Sequence, residues 1–117
     1  MLVGPVMGYV RTQAGQELGD ETQVFQRPSQ ALKSLAAGKP KVIAIDMSHQ
    51  IGEWDFDYFR SAHELLSEAK RREVPTIIYA STAGYAELHH LFPERDYTAL
   101  VTNPWNDLVP TLRELAK

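Results

Sequence analysis

The feature that most restricts the fold of this chain is Val42-Ile43-Ala44-Ile45, apolar at consecutive positions and ending on the carboxylate Asp46. A strand with one wet face alternates apolar and polar residues. A run without alternation needs cover on both faces, as in a parallel sheet held between helices. Lys41–Met47 is therefore the predicted central strand. Around it, strand-type apolar runs alternate with helical patterns, and turn residues punctuate the chain at short intervals, the order expected of βαβ units. At 117 residues the chain has the length of one domain, 1–117, able to bury a real core.

The remaining elements follow from local signals. A short first strand near Leu2–Gly4 precedes a helix near 6–18 that places Met7, Val10, Ala14 and Leu18 on one face. Thr22–Gln26 reads as a strand. Ser29 reads as the N-cap of a helix over about 30–37, with Gly38 past its end and Pro40 beyond. Asp55 caps the next helix, Trp54 and Phe59 form its hydrophobic staple, and Phe59, Ala62, Leu66 and Ala69 its buried stripe. Lys70, Arg71 and Arg72 complement the dipole at its carboxyl end. Val74–Ala80 is the fourth strand, and Ser81 or Thr82 caps a helix running to Phe92, stopped by Pro93. Tyr97–Thr102 is the fifth strand, and a last helix over about 107–116 starts at the cap Asn106 with Pro110 in its first turn.

Five strands alternating with five helices predict an α/β fold, a doubly wound five-stranded parallel sheet in three α/β/α layers with right-handed crossovers. In such sheets function sits at the carboxyl ends of the strands. Gly4-Pro5, Asp46-Met47, Ala80-Ser81 and Thr102-Asn103 converge there.

Composition and motifs exclude several classes. Lys and Arg number 12 against 15 Asp and Glu, a net charge of −3 with both signs interspersed, so no basic field favours nucleic acid or an anionic membrane. The absence of cysteine removes disulfide, Cys-zinc and thiol-nucleophile chemistry and fits a reducing cytoplasm. Residues 1–7 are apolar but too short for a targeting segment, and no apolar run reaches membrane-spanning length, so a soluble cytoplasmic protein is expected. His89 and His90 are helical neighbours about 100° apart, and His49 and His63 lack ligand spacing, so no metal site is read. Ser48-His49 lacks a nucleophile elbow, and Gly4-Pro5-Val6-Met7-Gly8 lacks the lysine and hydroxyl of a phosphate loop. The expectation is a protein that is not an enzyme and holds no cofactor.

Four stretches carry a family resemblance: SQALKSLAAGKPKVIAID, in which Leu32 and Asp46 are 14 positions apart; VPTIIYAS; VTNPW; and the terminal NDLVPTLRELA. In this order they resemble a response-regulator receiver domain over almost the whole chain. The resemblance implies the strand order 2-1-3-4-5 and puts Asp46 at the phosphoacceptor position. It also exposes departures. Receivers end the first strand on acidic residues that hold Mg²⁺, and here the stretch is Leu2-Val3-Gly4-Pro5. Ala80 stands where the family has Thr or Ser, with Ser81 one residue late, and Asn103 replaces the family's lysine although Pro104 is kept. Of the nearby acids, Asp55 and Asp57 are taken up at the helix start, which leaves Glu53 as a substitute ligand.

Phosphoryl transfer to a carboxylate depends on positioning and charge neutralisation, so losing the cation site and the lysine removes several kcal/mol of transition-state stabilisation. The resemblance therefore implies a pseudo-receiver, a protein-interaction module of bacterial signalling with Asp46 vestigial. The alternative keeps Asp46 as phosphoacceptor with a non-standard Mg²⁺ site. Tyr85, Tyr97 and Trp105 fall on the face that carries partner or dimer contacts in receivers, which implies a protein partner or a second copy of the chain. A second resemblance, of VIAIDMS and FDYFRSAHELLSEAKRREV to the STAS domains of anti-sigma-factor antagonists, places Ser61 too far into its helix to match that family's regulatory serine. The STAS reading expects two strands in the first third of the chain; the receiver reading expects the helix near 6–18.

Overall fold

The central run is buried at every position in strand β3 (Ile43–Asp46), and so is its neighbour β4 (Thr76–Tyr79). In the computed structural model, residues 1–4, 23–38, 40–47, 56–79, 92–101 and 104–116 are described. They add β1 (Leu2–Val3), β2 (Val24–Phe25) and β5 (Ala99–Val101), and helices α1 (Pro28–Leu35), α2 (Phe56–Arg71) and α3 (Pro104–Leu115). The strands form one sheet in the order β2-β1-β3-β4-β5, every neighbouring pair parallel. This is the doubly wound arrangement expected from the sequence, with β3 in the middle.

The alternation of side chains along each strand splits the core in two. Val3, Ile43, Ile45, Met47 and Ile78 pack with Ala31 and Leu35 of α1 and with Tyr58, Ala62, Leu65, Leu66 and Ala69 of α2. Leu2, Val42, Ala44, Ile77, Tyr79 and Val101 pack on the opposite face with Leu108 and Leu112 of α3. Cover on both faces is why β3 and β4 show no polar alternation.

Several boundaries differ from the sequence reading. α1 is capped by Arg27 in an extended conformation, so Ser29 lies inside the first turn. Pro28 explains this: its fixed φ suits the first helical position, and its missing N–H needs no partner there. The Gln30 side chain accepts from the Arg27 N–H at 3.3 Å. α3 starts at Pro104, not after Asn106, which moves Pro110 from the first turn into the helix interior. Asn106 and Pro110 are exposed, so solvent reaches the Asn106 carbonyl that Pro110 cannot satisfy. The buried stripe of α2 is wider than expected, with Tyr58 and Leu65 added and Phe59 only partly buried. A short 3₁₀ helix, Glu94–Asp96, follows Pro93, and Tyr97 precedes β5 instead of opening it. The helices expected near 6–18 and from Ser81 to Phe92, and the cap Asp55 with Trp54, lie outside the described residues.

The carboxyl end of α2 sets the level at which β4 enters the sheet. Glu73 takes a left-handed φ of 59°, its N–H reaches the Lys70 carbonyl at 3.1 Å, and the Val74 N–H reaches that of Ala69 at 2.8 Å. These paired bonds form a Schellman motif with a side chain where glycine is usual. Arg72 then joins the two helices, donating from Nη1 to the Leu35 carbonyl at the end of α1 at 2.8 Å.

Candidate functional site

The parallel register aligns the strand tips in one row. Leu2 lies beside Ala44 and Val3 beside Ile45, which brings Gly4 next to Asp46; Asp46 in turn pairs with Tyr79, and Tyr79 with Val101. Asp46 is therefore at the carboxyl end of the central strand, as the sequence predicts, but it is only 2 % exposed. Its immediate neighbours among the described residues are a glycine and two tyrosines.

One of these tyrosines comes from α2. The Tyr58 hydroxyl donates to the main-chain carbonyl of Asp46 at 2.7 Å, and its ring lies in the core beneath the helix. Arg27, at the start of α1, sits over that ring at 5.7 Å from its centroid and pairs with Asp57 at 3.3 Å. The other, Tyr79, is fully buried on the α3 face; its hydroxyl lies near the Asp46 side chain without forming a hydrogen bond of good geometry among the described residues. Burial first, and the negative charge of Asp46 second, push the pKa of both phenols well above the ordinary value; Arg27 opposes the shift at Tyr58. Both hydroxyls stay protonated across the whole physiological range.

Of the residues singled out in the sequence, the structure brings Gly4 and Asp46 together. Tyr97 is partly buried at the other end of the sheet, packed against the core under α1 and α2. Ala80, Ser81, Tyr85 and Asn103, with Ser48, His49, Glu53, His89 and His90, lie outside the described residues. So do the side chains of Pro104 and Trp105, whose backbone opens α3. His63 stands alone of the histidines in the described part, stacked on Phe92 at 4.4 Å and edge-on to Phe59 at 4.7 Å. Burial lowers its pKa and Asp96 partly offsets this, as for a packed aromatic ring.

Sequence reasoning missed Tyr58 and Tyr79. A signal existed for each: Tyr58, Ala62, Leu65 and Ala69 follow the helical spacing of a buried stripe, and Tyr79 shares the two-residue period of Ile77.

A divalent cation of the kind receivers use takes hard oxygen ligands, several of them carboxylate. Here the described groups at the tip offer one carboxylate, one carbonyl already accepting from Tyr58, and two neutral phenols. No three His, Asp or Glu side chains among the described residues converge into a ligand set. The described residues of the tip do not by themselves fit such an ion.

No family model matches the chain, and no curated protein matches it. Two solved structures are similar in fold. The adenylate cyclase from Rhodopirellula baltica has a TM-score of 0.62 at 14% identity, over 98% of this chain and 86% of that one. The Mn²⁺-bound form of response regulator Rcp1 has a TM-score of 0.56 at 14% identity, over 97% and 88%. The sheet order and these likenesses establish that the chain has a flavodoxin-like, receiver-type fold.

Proposed function

We propose that this chain is a pseudo-receiver, a receiver-like domain that serves bacterial signalling as a protein-interaction module and runs no aspartyl-phosphorylation cycle. The observation that carries the proposal is the surroundings of Asp46. It is buried at the tip of β3 beside Gly4, Tyr58 and Tyr79, where charge neutralisation of an incoming phosphoryl group would call for acids around a cation. With the chemistry gone, the fold itself is what other proteins recognise. The module is not an enzyme, needs no cofactor, works in the cytoplasm, and engages a protein partner or a second copy through the Tyr85, Tyr97 and Trp105 face.

Two experiments test this. Incubation with acetyl phosphate and Mg²⁺ followed by intact mass measurement should give no phosphate adduct; an adduct that disappears in Asp46→Asn defeats the proposal and establishes the phosphorylatable alternative. A pull-down with the wild-type chain beside a Tyr85→Ala/Trp105→Ala variant should lose its partners, and unchanged partners would remove that face. β1 and β2 supply the two strands that the STAS reading expects in the first third, but the all-parallel order 2-1-3-4-5 is the one the receiver resemblance implies.

A further inference from the structure

Gly4 occupies the position at which the receiver resemblance puts an acidic residue beside Asp46, and the space over it is taken. Its φ of +104° suits glycine and strains any residue with a side chain. A Cβ at this position would overlap the Tyr58 hydroxyl, with the Asp46 Cβ at 3.0 Å and the Asp46 carbonyl oxygen at 3.1 Å. Tyr58 has little freedom to give way. It is 6 % exposed, its ring is held in the core, and its hydroxyl is bound to the Asp46 carbonyl at 2.7 Å. A protonated phenol offers a poor ligand to a divalent cation, and this one has already engaged the nearest main-chain oxygen.

We infer that Tyr58 is a built-in plug that excludes divalent cations from the space beside Asp46: its hydroxyl fills the space over Gly4 and ties up the Asp46 carbonyl, so this space is closed to metal, and the described residues around it are short of acids. Gly4 and Tyr58 form a matched pair, each permitting the other. The inference rests on the pseudo-receiver reading and adds the residue that enforces it. The similar response regulator Rcp1 was solved with Mn²⁺ bound, which makes Mn²⁺ the natural probe.

The test is a double-mutant cycle on the full chain. Strain from the φ of residue 4 is common to both backgrounds and cancels, whereas overlap with a hydroxyl exists only where Tyr58 is intact. Gly4→Ala should lower Tm by ~5 °C or more beyond the drop it causes in a Tyr58→Phe background. Equal drops in the two backgrounds overturn the plug. In a second arm, Mn²⁺ alone is titrated and followed by water-proton relaxation. Gly4→Asp/Tyr58→Ala should bind it about tenfold or more tightly than Gly4→Asp, and adding Asp46→Asn should abolish the gain. Equal uptake by the two variants, or none by a folded double variant, also overturns the plug; if neither aspartate variant folds, the alanine cycle decides. A phosphate found on wild-type Asp46 would remove the proposed function without changing the cycle, and an additive cycle would remove the plug while that function stood.

Discussion

At the carboxyl end of the sheet the described polar groups turn inward, whereas at the amino end they line an open cavity. Asp46, Tyr58 and Tyr79 are all buried, and the bond between the Tyr58 hydroxyl and the Asp46 carbonyl closes over Gly4. At the other end, Thr76 and Thr98 clamp the entry of β4 and β5. Each backbone N–H reaches the other's Oγ1, at 3.0 Å from Thr76 and 3.2 Å from Thr98. Around them Lys70, Glu73, Arg95, Asp96 and Tyr97 surround a cavity of about 330 Å³, and Lys70 Nζ donates to the Arg95 carbonyl at 2.8 Å. The fold puts catalytic sites at the carboxyl end, yet in this chain the described groups at that end are packed like core. Position in a fold offers a site; the residues placed there decide whether chemistry occurs.

High pH should break the contrast most severely. Burial, and then Asp46, raise the pKa of both phenols above the ordinary 10.0, so the unfolded chain loses these protons first. The stability this provides is complete below pH 10.0 and is lost as pH rises beyond it. In a Tyr9→Phe/Tyr85→Phe/Tyr97→Phe chain, which keeps only these two phenols, alkaline titration followed by circular dichroism and phenolate absorbance should show unfolding and ionisation as one cooperative step, and phenolate appearing in a still-folded chain would contradict the burial of these groups. Next in size are the two tyrosines taken separately. Tyr58→Phe leaves the buried Asp46 carbonyl without its donor and should cost about 1–2 kcal/mol in urea denaturation. Tyr79→Phe removes a hydroxyl that lies near Asp46 without a well-formed hydrogen bond, so it should change stability by less than Tyr58→Phe, within ~1 kcal/mol of the wild type. Equal losses from both would erase the distinction between them.

The amino end sharpens the comparison with smaller effects. Thr98→Val removes the acceptor for the Thr76 N–H and should cost about 1 kcal/mol, measured in the same way, while leaving the alkaline step of the tyrosines in place. The smallest change should be a gain. Glu73 holds a left-handed φ of 59°, so Glu73→Gly should stabilise by about 0.5–1 kcal/mol in thermal unfolding, and a loss would mean the Glu73 side chain earns its place at the cavity rim.

Much of the fold was legible because the central strands report their own burial: Val42–Ile45 and Ile77-Ile78 have no polar alternation, and the segments between them carry caps and stops. Helix starts were less legible. Pro28 opens its helix one residue before the cap read at Ser29, and Pro104 two before the cap read at Asn106, since a proline at the first position competes with these side chains as the start signal. The site was half legible. Asp46 and the missing acid at Gly4 were visible as residues, whereas Tyr58 was hidden by assigning the buried stripe of α2 to Phe59.

The sequence by itself determined that strands and helices alternate, that the strand ending at Asp46 is covered on both faces, and that no carboxylate stands at position 4. Only the tertiary structure decided what occupies that space. Residues 4, 46 and 58 meet because β1 and β3 pair in register and because the rotation of α2 about its axis turns Tyr58 toward the sheet. Periodicity assigns a side chain to a broad face of a helix, but which hydroxyl arrives over which glycine depends on packing distances of a few tenths of an ångström, and those arise only when the whole core closes.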